Sequence, residues 1–220
     1  MEALLNEVEV RVVGSLVEKQ VTTPEYYPLT LNALVSACNQ ISNRDPVVSF
    51  DEQAVARALE SLRAKNLVYV FYGSDSRVPK YKHMMTEIFR LSAAELAAVC
   101  VLMLRGPQTV GEVRGRTGRL YNFADLAEVE STLEGLAQRE EPVVLKLPRQ
   151  PGRKEARYAH LLAGTPAFEE ARPEPRVEPA VREVRAENER LARLEAEVET
   201  LRGELADLRQ RFDEFRKQFE

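Results

Sequence analysis

Over the first three quarters of the chain, hydrophobic residues recur at helical spacing, interrupted twice by β-rich runs. Residues 5–19 set Leu5, Val8, Val12, Val13, Leu16 and Val17 on one stripe with Glu7, Glu9, Arg11 and Glu18 between them, which predicts an amphipathic helix. Thr22-Thr23-Pro24-Glu25 has the form of a capping box. Thr30 caps a second helix whose apolar face is Leu31, Leu34, Val35 and Cys38, and Asn43–Pro46 breaks the chain again. Ser49 with Glu52, or Asp51 directly, caps a third helix carrying Val55, Leu59 and Leu62. The run Leu67–Tyr72 is rich in strand formers, and Lys80–Met84 reads as its return strand.

The same order then repeats. Ser92 and Glu95 cap a helix with Leu96, Val99, Leu102 and Met103, and Thr109 and Glu112 cap a short one with Val110 and Val113. Val129, Leu133 and Leu136 follow Val55, Leu59 and Leu62 at a constant offset of 74 residues. Val143–Leu147 and Ala156–Leu162 form the second hairpin, and Arg157-Tyr158-Ala159-His160 echoes Lys80-Tyr81-Lys82-His83. A domain-sized repeat of this kind indicates internal duplication. Three helices followed by a hairpin is the order of a winged helix-turn-helix. The expected architecture is mainly α with small β-hairpin wings: winged-helix domains at 1–90 and 91–163, a Pro-rich linker at 164–180, and a C-terminal coiled-coil helix at 181–220.

That last segment has a different period. Leu191, Leu194, Val198, Leu201, Leu205, Leu208, Phe212, Phe215 and Phe219 step by three and four without a break, as the a and d positions of a coiled coil do. The flanking pairs Arg190–Glu195, Glu197–Arg202 and Glu204–Arg209 attract in a parallel dimer, and Arg211–Arg216 repels. A stripe this narrow needs a partner helix, most simply from a second copy.

Charge changes the picture only by segment. Lys+Arg against Asp+Glu is 10 to 11 over residues 1–90, 10 to 9 over 91–163 and 11 to 15 beyond, so neither core has a strong basic excess. Cationic side chains are instead local. The first wing offers Arg77, Lys80, Lys82 and His83, the second Arg149, Arg153, Lys154 and Arg157, and the first third-helix offers Gln53, Arg57, Glu60 and Arg63. Such residues contact phosphates, and the same charges also serve simply to solvate an exposed hairpin. The second third-helix carries Asp125, Glu128, Glu130 and Glu134, which phosphates repel. Arg114, Arg116 and Arg119 form a small cluster suited to a phosphate or an acidic protein surface.

Asn39, Gln40, Asn43 and Arg44 are a dense polar group whose simplest use is turning and capping backbone. Tyr26, Tyr27, Tyr72, Tyr81 and Tyr121 suit either base stacking or half-buried packing. Cys38 and Cys100 sit in apolar helical patterns, as small buried hydrophobes in a reducing compartment do. His83 and His160 occupy equivalent strand positions. Metal-ligand, nucleophile-elbow and P-loop spacings are all missing from the sequence, so neither a cofactor nor an enzymatic activity is expected. The first residues do not read as a signal peptide, and the longest apolar run, Leu96–Leu104, is too short to span a bilayer; a cytoplasmic protein is expected.

The strings Glu18-Lys19-Gln20-Val21-Thr22-Thr23-Pro24-Glu25, Ala37-Cys38-Asn39-Gln40, Asn43-Arg44-Asp45-Pro46-Val47, Leu104-Arg105-Gly106-Pro107-Gln108-Thr109, Val129-Glu130-Ser131-Thr132-Leu133 and Pro151-Gly152-Arg153-Lys154-Glu155-Ala156-Arg157-Tyr158 resemble the bacterial YceH-like family over residues 4–163. The resemblance implies tandem winged helices and no activity. Two functional expectations follow: a dimeric protein that binds duplex DNA and regulates transcription, or a scaffold whose winged-helix units dock other proteins.

Overall fold

The computed structural model describes residues 5–73, 76–149 and 155–165, which lie in one compact unit. The Pro-rich linker and the coiled-coil seam expected from Leu191 to Phe219 lie outside the described residues.

Helix α1 runs Glu7–Thr22, started by a capping box between Asn6 and Glu9. It buries a whole face, Val10, Val12, Val13, Leu16 and Val17, because it is the central helix of the unit. At its far end the sequence suggests a capping box, and the structure differs. Thr22 and Thr23 turn their hydroxyls back to the carbonyls of Glu18 and Lys19, and the following Pro24–Tyr26 turn has no side-chain cap. Back-bonding to the preceding turn competes with N-capping and here prevails.

β1 (Leu29–Thr30) leads directly into α2 (Leu31–Cys38), which Thr30 caps. Helix α3 (Glu52–Ala64) is capped by Asp51, 2.6 Å from the Ala54 N–H, and buries Val55, Ala58, Leu59 and Leu62. Strands β2 (Val68–Gly73) and β3 (Ser76–His83) pair antiparallel, and β1 adds to the free edge of β3, giving the order β1-β3-β2. The short α4 (Met85–Phe89) connects onward.

The second half repeats the plan in smaller form. Helix α5 (Ala93–Arg105) and α6 (Val110–Thr117) each begin with a complete capping box, at Ser92–Glu95 and Thr109–Glu112. Helix α7 (Leu126–Ala137) is capped by Asp125 and buries Val129, Leu133 and Leu136, the three residues the repeat singles out. Strands β4 (Val144–Lys146) and β5 (Tyr158–His160) pair antiparallel over three residues each.

The two halves share one continuous core running from Leu5 to Leu162. Helices α1 and α5 pack together closely enough that a Cβ on Gly14 would lie 2.9 Å from Leu104 Cδ2. Backbone bonds also cross: the Leu5 N–H donates to the Leu162 carbonyl and the Asp45 N–H to the Leu104 carbonyl, each at 2.9 Å. Residue 90 therefore marks a repeat of element order, with no break in packing.

Candidate nucleic-acid interface

With one face of α3 committed to the core, Gln53, Arg57, Glu60 and Arg63 are left exposed. Arg57 makes no hydrogen bond or ion pair with the described residues. The chain then enters the hairpin, where the register sets Tyr69 opposite Lys82, Val70 opposite Tyr81 and Phe71 opposite Lys80. Side chains alternate across a sheet. Val68, Val70, Tyr81 and His83 thus share the inward face, while Tyr69, Phe71, Val78, Lys80 and Lys82 share the outer one. Tyr69 and Phe71 are 55% and 45% exposed, unusual for aromatic residues, and Lys82 Nζ sits 5.7 Å from the Tyr69 ring centroid. Lys80 and Lys82 have no carboxylate partner among the described residues. Arg77 lies in β3, with its side chain outside the described residues.

In the second half Lys146 and Arg157 of the hairpin are paired. Lys146 Nζ lies 3.1 Å from Glu134 and 3.7 Å from Glu130, and over the Tyr158 ring. Its ammonium is held above its ordinary range by Tyr158 first and then by Glu134. Arg157, the counterpart of Lys80, donates to the Pro107 carbonyl at 2.7 Å and contacts Glu112 at 3.1 Å. The wing of this half thus leans on its own α6. Arg149 is exposed, and Arg153 and Lys154 lie outside the described residues. The exposed side of α7 carries Glu130, while Glu128 accepts from the Tyr121 hydroxyl and the Ala124 N–H.

The polar group after α2 is a structural lock. The Asn39 side chain both donates to the Phe50 carbonyl and accepts from its N–H, each at 2.8 Å, which fixes the loop that delivers α3. Arg44 is buried against Glu18, and Arg11 donates to the carbonyls of Pro46 and Cys38. His83 is packed inside, with Nε2 2.6 Å from Gln20 Oε1 and Nδ1 accepting from the Met85 N–H. That pairing fixes the neutral tautomer with its proton on Nε2. Burial pushes the pKa values of His83 and His160 down to about 4. Burial also raises the Cys38 thiol to about 11, and it raises the Cys100 thiol as well, so neither is poised as a nucleophile. Among the described residues no group of His, Cys, Asp or Glu could hold a metal ion, and no helix is long and apolar enough to cross a membrane.

Of the expected site residues, Arg57, Lys80 and Lys82 in the first half and Arg149 in the second have no anionic partner among the described residues, while Arg157 is withdrawn into a local ion pair. Sequence reasoning missed Tyr69 and Phe71. Their alternation with Val68 and Val70 in a β-rich run was the available signal, but only the register shows which set faces out.

Residues 5–153 match the family model described as "Protein of unknown function, DUF480". A UPF0502 protein of Geobacter sulfurreducens is 56% identical over 220 residues, the whole of both chains, and one of Geotalea uraniireducens is 55% identical over the same span. A UPF0502 protein of Opitutus terrae is 57% identical over 180 residues, 81% of this chain and 78% of the relative.

Proposed function

We propose that this chain, which belongs to the DUF480 family, is a non-enzymatic, dimeric tandem winged-helix protein that binds duplex DNA through its first winged helix. The observation that carries this reading is the asymmetry between the halves. Arg57, Lys80 and Lys82 have no anionic partner among the described residues, whereas Arg157 and Lys146 in the second half are occupied by Glu112, Glu130 and Glu134. Free cations on a candidate recognition helix and its adjoining wing suit phosphate contacts, which position a protein on the duplex without reading bases. Gln53 lies on the exposed side of α3, where a groove-inserted helix needs its base-reading groups. The Lys80→Glu, Lys82→Glu double variant should weaken binding to a generic duplex at least tenfold by fluorescence anisotropy, while Arg157→Glu leaves it within twofold. Equal losses from the two would remove the asymmetry and the reading with it.

A protein-docking role for the second half is favoured by one observation. The side of α7 that a DNA reader would insert presents the 49%-exposed Leu126 and a Glu130 already paired with Lys146, and no free cation. The chain then holds nucleic acid with its first half and docks a protein partner with its second. Dimerisation rests on the heptads from Leu191 to Phe219. Leu201→Glu places two carboxylates against each other in the seam and should convert a dimer into a monomer in light scattering, with the melting of residues 5–165 unchanged. A monomeric wild type at tens of micromolar would refute the homodimer.

A further inference from the structure

Between the end of α1, the turn holding Asn43, the last turn of α5 and the end of α6 lies a cavity of about 300 Å³. Both halves of the unit line it. Three arginines, Arg105, Arg116 and Arg119, line it. None of them has a close carboxylate partner among the described residues. Arg105 donates to the neutral Asn43 Oδ1 at 2.8 Å, Arg116 reaches Glu112 only at 4.0 Å, and Arg119 makes no hydrogen bond or ion pair with the described residues. The one carboxylate in the wall, Glu18, is already taken by Arg44 at 2.6 Å. The Arg105 guanidinium is pushed below its ordinary range by burial and then by the like charge of Arg116.

Arginines at helix C-termini ordinarily answer the helix dipole. The ends of α1, α5 and α6 each supply roughly half a negative charge, about one and a half in total. Glu18 and Arg44 cancel. Three guanidiniums against these helix ends and the Asp45 carboxylate, whose charge also acts on Arg105, leave the cavity net positive. A phosphate monoester carries the opposite charge, and the guanidinium fork fits its oxygens. The volume is at the lower end for small-molecule sites and roughly ten times that of one water, so a bare ion would leave most of it unfilled. Val101 and Leu120 give the remainder an apolar wall.

We infer that this cavity binds a small organic phosphate, with its phosphate group on Arg105, Arg116 and Arg119 and its carbon frame against Val101 and Leu120. The ligand touches both halves and so holds them in one arrangement. The inference stands apart from the DNA reading, because none of its residues belongs to the α3–hairpin surface.

The test is isothermal titration of the full chain with ribose 5-phosphate, adenosine monophosphate and inorganic phosphate, with ribose as the uncharged control. At least one of the two organic phosphates should bind saturably and more tightly than inorganic phosphate, and ribose should give no heat. Arg119→Glu should weaken that binding about tenfold or more while leaving the melting of the ligand-free protein unchanged, since Arg119 holds no part of the fold together. No saturable binding of any phosphate at millimolar concentration would overturn the inference. So would binding that Arg119→Glu leaves intact, or inorganic phosphate binding as tightly as both organic probes.

Discussion

Arg44 Nη2 lies 2.6 Å from the Glu18 carboxylate, with the arginine side chain wholly out of solvent. The same nitrogen donates to the Ala37 carbonyl at 2.8 Å, so one side chain ties α1, the end of α2 and the turn beyond it. Buried pairs are fragile to half-removal, because the surviving charge keeps its desolvation cost and loses its partner. Arg44→Ala should therefore destabilise the protein by about 3–5 kcal/mol in urea unfolding. The combined Arg44→Met, Glu18→Leu variant should lose far less, since no uncompensated charge remains.

Gly14 marks the closest approach of α1 to α5. A Cβ there would meet Leu104 Cδ2 at 2.9 Å and Met103 Cβ at 3.2 Å. In Gly14→Ala the helical gain of about 1 kcal/mol should roughly offset a small rotation of the Leu104 tip. Gly14→Val adds branched bulk against Met103 and should cost about 1–3 kcal/mol. Thermal melts of the pair of variants separate the two effects. A valine variant as stable as the alanine one would show that the helices do not meet there.

Acid should weaken the fold well above the range where carboxylates titrate. His83 and His160 have pKa values near 4 when folded against 6.5 when free, because burial disfavours the charged ring. Glu87 and Lys82, the charged groups that bear on His83, pull in opposite directions. The unfolded chain binds more protons between these values, so stability falls as pH drops from about 6.5 to about 4, by up to roughly 3 kcal/mol per histidine. Glu9, Glu95 and Glu112 extend the loss below that. Burial pushes each of them up, but hydrogen bonds and neighbouring cations outweigh it and hold each below its ordinary value. Chemical unfolding across this range should show the fall, and His160→Phe should flatten it by about half. A stability unchanged between about pH 7 and pH 5 would contradict the buried neutral rings.

What the sequence displays and what it hides divide by range. Caps at Thr30, Asp51, Ser92 and Thr109 are local chemistry, a side-chain oxygen three residues from the N–H it accepts, and all four form as read. The apolar triads of α3 and α7 are legible for the same reason. The fate of polar residues is not local. Arg44 reads as a turn residue until Glu18, 26 positions away, is placed beside it, and Arg157 reads as a free wing cation until Glu112, 45 positions away, takes it. The short β1 and α4 are too small to leave a periodicity. Arg114, Arg116 and Arg119 stand out as a basic cluster, but Arg114 turns to the Ala124 carbonyl and Arg105 takes its place at the cavity.

The central claim is that the first half holds duplex DNA by phosphate contacts from Arg57, Lys80 and Lys82. The most direct measurement is the affinity of the full chain for a generic duplex, titrated with salt from about 50 to about 200 mM. Each phosphate neutralised contributes about −0.9 to the slope of log K against log salt, so three contacts per bound chain predict a slope of about −3. The Lys80→Glu, Lys82→Glu variant should bring that slope to about −1 or abolish binding. No detectable complex at the lowest salt, or a slope the double variant leaves unchanged, would contradict the account.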